Sequence, residues 1–400
     1  MTTAIEDAVQ AVDAGAVMGL LPSRPRLLAL GEPTHYEDTL LDVRNDLFRR
    51  LVEQEGYRTI AIESDCLMGL RVDDYVTTGE GTLDDVMEHG ISHGWGALAG
   101  NRELVRWMRA YNDGRPMPER VRFAGFDGPL ETAGAASPRQ ALTALHDYLA
   151  VRVDADLVPC TAQTLDRMLG DDERWTEPAA MMDPSQSIGK TREAEEVRLL
   201  ADNLVALLGT QTPHLNATSS PDEWDRARMY GRTATGLLRY HFWMADTSPN
   251  RLAWLLGLRD SMMASNLLAI AERRPALAHA HNGHLQRDKS STRMAGRRLE
   301  WWSAGAIVST QLGDGYAFLA TALGTIDHRG VEAPPPDTIE GLLYAQPKDR
   351  CVVDPRRLAA GFGDMSPVPR VSPWFGYAPL DPSHVGGIDG IVFVRDLAPS

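Results

Sequence analysis

Cysteine is scarce in this chain: of 400 residues only positions 66, 160 and 351 are Cys, far apart and with no pair at metal-ligand spacing. An odd, scattered set excludes a disulfide framework and predicts a reducing compartment. Basic residues are also in deficit, 40 Lys and Arg against 55 Asp and Glu, giving a formal net charge of −15 with no basic stripe. That balance argues against nucleic acid and anionic membrane as partners, because both are held by clustered cations. No apolar run approaches the ~18 residues of a membrane-spanning helix. The N-terminal MTTAIEDAVQAVDAG lacks both a basic start and an apolar centre, so no export segment is expected and the cytoplasm is the expected location. A Gly-x-Ser-x-Gly elbow beside a strand is missing, which leaves a covalent serine mechanism without support. Cys66 follows Glu63 and Asp65, two carboxylates that would raise its thiol pKa, so it is a poor nucleophile. Internal repeats and low-complexity tracts are absent as well.

What remains is ordinary globular material. With 43% hydrophobic residues the chain can bury a large core, and its length fits roughly two to three domains, or one domain with an insertion. The informative stretch is Leu27 to Glu63, which reads as strand, helix, strand. Leu27-Leu28-Ala29-Leu30 is a short apolar run ended by Gly31, and Glu32-Pro33-Thr34-His35 then sets a carboxylate and an imidazole directly after a buried strand. Glu37 and Asp38 suit the positive end of a helix. That helix shows one apolar face, Leu40, Leu41, Leu47, Phe48 and Leu51, and Gly56 stops it. Arg44 falls on the same face. An inward guanidinium needs a partner, since an unpaired buried charge costs several kcal/mol, and Glu32, Glu63 or Asp127 are the expected carboxylates. The second strand, Thr59-Ile60-Ala61-Ile62, ends in Glu63. In a right-handed crossover both strands run parallel, so Glu32, His35 and Glu63 should gather at the carboxyl edge of the sheet, where open α/β folds place their ligands.

Elsewhere the pattern alternates. Residues 2–20 read as an acidic amphipathic helix, 65–114 as helices with loops, and Val121 to Asp127 as a third strand ending in an acid. Helical periodicity then dominates near 138–150, 160–169, 192–209, 222–245 and 251–274. On the last of these Arg259 and Asn266 share the face of Leu255, Met263 and Leu267. Ala276 to His281 reads as a strand followed by the turn Asn282-Gly283-His284. Gly305 to Thr310 and Tyr316 to Ala322 read as two strands joined by a Gly313-Asp314-Gly315 hairpin, and Ile391 to Val394 as the closing strand. The expected organisation is an α/β fold: a central, mostly parallel sheet flanked by helices, its first part in 1–129 with the catalytic motif and its second in 246–400. A helical insertion over 130–245 is expected to cover the carboxyl edge.

Three imidazoles, His35, His281 and His284, lie at or just after strand ends, which favours a functional reading over solvated surface histidines. His279, one pleat back, reads as structural, and His89, His93 and His241 as surface or lid residues. A His base oriented by Glu32 and Glu63, with arginine or a second His facing developing oxyanion charge, can take a proton from water. His279-x-His281-x-x-His284 with two acids also invites a metal site, but arginines beside the same carboxylates would repel a cation, and neither metal nor cofactor is expected. Three other uses of the pocket stay open: a metal-dependent hydrolase, a non-hydrolytic proton transfer or cyclisation on a biosynthetic intermediate, and a small-molecule binding protein.

Several of these segments together resemble the erythromycin esterase family: Gly31-Glu32-Pro33-Thr34-His35, Arg44 nine residues on, Ala61-Ile62-Glu63-Ser64, Arg259-Asp260-x-Met262 and Ala280-His281-Asn282-Gly283-His284. Trp107 to Asn112 followed by Phe126-Asp127 is similar too. The resemblance runs over roughly 25 to 395. It implies an α/β sheet with an added helical region and metal-independent hydrolysis of an ester or macrolide lactone, a small molecule, with the oligomeric state unspecified. It also implies His35 as general base, with Glu32, Arg44, Glu63, His281 and His284 in the catalytic pocket. Tyr36, Arg259 and Asp127 are the expected substrate contacts. The family usually carries Gly where this chain has Tyr36, which points to a different substrate size.

Overall fold

A computed structural model describes residues 9–131, 134–294, 296–361, 366–372 and 374–397. The chain is mixed α/β, built on an eight-stranded sheet. In chain order the strands are β1 (Val9–Gln10), β2 (Leu27–Glu32), β3 (Thr59–Asp65), β4 (Arg122–Asp127), β5 (Ala276–His281), β6 (Tyr316–Thr325), β7 (Arg350–Val353) and β8 (Gly390–Asp396). Their spatial order is β1-β7-β8-β6-β2-β5-β3-β4. Strands β8, β6, β2, β5 and β3 run parallel, while β7 pairs antiparallel with β8 and β1 antiparallel with β7 at the edge. The middle strands are buried along their whole length, as expected of a parallel sheet covered on both faces.

Two compact units divide the chain. The first comprises 1–64, 68–126 and 267–400 and holds the sheet; the second comprises 65–67 and 127–266. In the first, helix α1 (Asp38–Gln54) buries Leu40, Leu41, Val43, Leu47, Phe48 and Leu51, the face the sequence pattern predicted, and Gly56 follows it at φ 65°. The second unit is helical, with Arg139–Ala150, Arg192–Thr210 and Pro221–Met244 packed around a core that includes Leu142, Leu145, Val197, Leu204 and Leu238, while Leu255 and Met262 on the first part of Arg251–Arg273 join a smaller cluster with Leu237 and Tyr240. Pro221–Met244 starts on a full capping box between Ser220 and Glu223.

Register places the chemistry. Strand β5 lies between β2 and β3, with Glu32 opposite His281, Leu30 opposite His279, and Ile62 opposite His279 from the other side. The strand does not stop at Gly31 but continues through Glu32. Gly31 is needed for contact rather than for a turn: a Cβ there would stand 2.1 Å from Asn282 Oδ1. That oxygen accepts from Thr321 N–H at 3.2 Å while Asn282 Nδ2 donates to Thr321 O at 2.9 Å, so a side-chain amide bridges to β6.

Three sequence expectations are corrected here, and one element that the pattern did not mark is added. Residues 9–20 form strand β1 and the helix Ala14–Leu20 rather than one helix, Asp13 capping Ala16 N–H; 2–8 lie outside the described residues. The apolar run Gly305 to Thr310 is a helix, Ala304–Leu312, not a strand, and Ser303 caps it by accepting from Ala306 N–H. Gly313–Gly315 is accordingly a tight turn from helix to strand and not a hairpin. A real hairpin lies at Lys289–Met294 and Arg297–Trp302, where the pattern gave no sign of one.

Gly31→Ala should therefore lower the unfolding free energy by about 1–3 kcal/mol, the usual cost of forcing an extra methyl into a packed site. Chemical denaturation checks it; an unchanged midpoint would show that the Asn282 bridge yields freely.

Candidate active site

The site grows from the Glu32 carboxylate, 5% exposed at the end of β2. Its Oε1 lies 2.7 Å from His35 Nδ1 and its Oε2 3.1 Å from His279 Nε2. His279 is thus part of the charged network rather than a bystander. Its Nδ1 donates to Leu30 O at 3.0 Å, so both ring nitrogens face oxygen acceptors. Burial alone would raise the Glu32 carboxyl, but the charges and hydrogen bonds of His279 and His35 overcome it and hold the group well below the usual carboxylate range. An ionised carboxylate can only accept, so His35 must donate through Nδ1, which leaves Nε2 as its basic nitrogen.

His35 feels opposing influences. Burial pushes its pKa down, yet the hydrogen bond to Glu32 and the charges of Glu63 and Glu32 prevail and raise it above the ordinary value of 6.5. His281, with ring centres 5.3 Å from His35, goes the other way: burial first, then the neighbouring His35 charge, push it down to about 4. It is neutral near pH 7. Gly283 N–H donates to His281 Nδ1 at 3.1 Å, so the proton of that neutral ring sits on Nε2 and is available for donation. Glu63, 3% exposed two residues before the end of β3, accepts from the His281 backbone N–H at 2.9 Å and lies 3.3 Å from His284 Nε2. One carboxylate therefore steadies both later histidines.

Arg44 is 1% exposed, as the helix pattern required, but its direct partner is not a carboxylate. Nε and one terminal nitrogen donate to Asn45 Oδ1 at 3.1 and 2.8 Å, and Asn45 Nδ2 donates to Gly100 O. Burial pulls its pKa down to about 10, with Glu32 the foremost charge opposing that shift. Arg44 lines a small cavity of ≈10 Å³ together with Glu32, Tyr36, Trp95, Asn101 and His279. Arg259 and Asp127 belong to the second unit and pair with each other, Nε and a terminal nitrogen at 3.0 and 2.6 Å from Asp127 Oδ2; Asp127 is fully buried and Arg259 about a quarter exposed.

Sequence reasoning missed Trp95. Its ring centre lies 4.9 Å from that of His35 and 5.1 Å from that of His93, a residue read as surface or lid. The Trp95 indole N–H is buried without a hydrogen-bond partner among the described residues. His241, also read as surface, is 1% exposed inside the second unit, where its Nε2 meets Ala136 O and burial holds its pKa at about 4. Cys66 is buried and its thiol is pushed up to about 12, first by burial and then by Asp65, consistent with an inert group. Among the described residues no three His, Cys, Asp or Glu side chains converge to hold a metal ion. A cavity of ≈220 Å³ opens on the His281 side, lined also by Asn282, Gln286, Lys289, Ser291 and His384.

The erythromycin esterase profile matches residues 52–396, most of the sequence. The chain belongs to the erythromycin esterase family. That span begins after Glu32 and His35, so both lie ahead of it. A search of curated proteins found no match. Solved structures share the fold: a Bacillus cereus protein at 18% identity and TM-score 0.75, covering all of this chain and 97% of that one, and a succinoglycan biosynthesis protein at 14% identity and TM-score 0.74 with the same coverage. A mutant of the erythromycin esterase EreC in its open conformation gives 17% identity and TM-score 0.66 over 95% of this chain and 93% of that one. Family membership supports a hydrolase-like function. No helix among the described residues is long and apolar enough to cross a membrane.

The histidine shifts are checkable by NMR titration. His35 should titrate with a midpoint above 6.5 and His281 well below 6, and Glu32→Gln should move the His35 midpoint downward because it removes the charge that favours the imidazolium. A His35 midpoint unmoved by that substitution would refute the assigned cause.

Proposed function

We propose that the chain hydrolyses a carboxylic ester or lactone with His35 as the general base and without a metal-bound water. The single observation that supports it most is the 2.7 Å contact from Glu32 Oε1 to His35 Nδ1, which fixes the tautomer and orients Nε2 as proton acceptor. Water gives a proton to Nε2 as its oxygen attacks the carbonyl carbon. The carbonyl π pair moves onto oxygen, and neutral His281, donating through Nε2–H, serves as the partner of that oxyanion. As the C–O bond to the alcohol breaks, the proton on His35 passes to the departing oxygen, leaving acid, alcohol and a restored base. Glu32 keeps the imidazolium stabilised in between.

A general base contributes ~10²–10⁴-fold to rate, so His35→Ala should lose that much in kcat while retaining the fold by circular dichroism. Hydrolysis in labelled water should place one heavy oxygen in the acid product. Equal rates for the variant and the parent, or product without label, would remove the hydrolytic assignment and favour proton transfer on an intermediate. Because His35 must be unprotonated to act and its pKa is raised, kcat/KM should climb with pH through a midpoint above 6.5, and Glu32→Gln should shift that limb to lower pH while lowering its plateau.

A further inference from the structure

Tyr36 and His93 are the non-glycine residues of the described chain with positive φ, at 66° and 59°. A bulky side chain in this left-handed region crowds its own backbone, and such residues persist where the surroundings over-determine them, commonly at ligand clamps. The two are joined: Tyr36 Oη donates to His93 O at 3.0 Å. Both rings also rest on Trp95, Tyr36 edge-on at 6.4 Å and His93 tilted at 5.1 Å, and the base His35 rests on the same indole. The loop behind them is pinned where Ser92 N–H donates to the buried Ser64 Oγ at 2.9 Å. Yet the Tyr36 side chain returns little burial, being 49% exposed. Glycine would meet this φ without strain. A strained, half-exposed phenol anchored beside a base is better explained by what it does to an incoming molecule than by stability.

We infer that Tyr36 is a specificity-determining residue: with His93 and Trp95 it forms an aromatic wall beside His35 that favours slender esters bearing a flat aromatic or conjugated acyl group and keeps a bulky macrocycle out. This rests on ester hydrolysis at His35. Ring faces and edges gain from offset or edge-on contact with a flat π system, which a puckered ring of equal size does not match. The cavity bordering His281 is also small, ≈220 Å³, below the ~300–1,000 Å³ of sites that enclose drug-sized molecules.

The test compares methyl benzoate, methyl cyclohexanecarboxylate and a fourteen-membered macrolactone on the parent, Tyr36→Gly and Tyr36→Phe. The parent should prefer the flat ester by about three- to tenfold in kcat/KM, carried by KM, the range an aromatic contact supplies. Tyr36→Gly should erase that preference and raise turnover of the macrolactone; Tyr36→Phe, which keeps the ring, should retain the preference. An unchanged flat-to-puckered ratio in Tyr36→Gly overturns the inference. If no protein in the series cleaves any ester, hydrolysis itself fails, and calorimetric binding of benzoate against cyclohexanecarboxylate then decides the wall alone. Tighter benzoate binding by the parent that Tyr36→Gly abolishes upholds it, and equal binding by the two proteins sinks it.

Discussion

A buried carboxylate shared by two imidazoles is the constraint on which this site depends. Glu32 sits at 5% exposure where desolvation alone would raise its pKa, and it stays ionised because His35 and His279 approach from its two oxygens. Parallel register makes that meeting unavoidable. Glu32 is paired with His281 across the β2–β5 ladder, and His279, two residues earlier on the same face of β5, reaches back to Glu32 Oε2. The third member, Glu63 two residues before the end of β3, arrives by the same logic from the other side of β5.

This is why much of the site was legible in the sequence. A carboxylate or imidazole directly after a short apolar run is placed at a strand end, and a parallel sheet brings those ends together. The same reasoning failed for Trp95 because it enters through a short turn after Gly94, φ 71°, where no periodicity marks a face. It failed in detail for Arg44: helical spacing gave the burial, but the adjacent Asn45 took its hydrogen bonds, and a neighbour in sequence on another helical face is invisible to a pattern that looks three and four residues ahead.

Errors in the fold have equally specific causes. Ala304 to Leu312 is rich in Ala, Gly, Ile and Val, a composition that fits a buried strand or a buried helix, and the deciding signal was the Ser303 cap rather than the run itself. The 289–302 hairpin went unseen because its strands carry Lys289, Arg293, Arg297 and Arg298 in place of alternating apolar residues. Strands exposed to water over most of their length need little hydrophobic contrast, so their sequences read as loop.

Two imidazoles with ring centres 5.3 Å apart cannot both hold a proton cheaply, and the surrounding groups decide which of them gives way. His35 has a carboxylate on its ring nitrogen and is pushed toward protonation; His281 offers Glu63 its backbone N–H and receives the Gly283 N–H on its ring, so burial and the His35 charge outweigh the pull of Glu63 and Glu32 on its cation. The pair is thereby split into one group that takes up a proton and one that stays neutral and donates. Pushing like groups apart in this way assigns acid–base roles without any change of residue type. The split also explains why Glu63 contacts the backbone of position 281: a second carboxylate on that ring would raise its pKa and destroy the asymmetry.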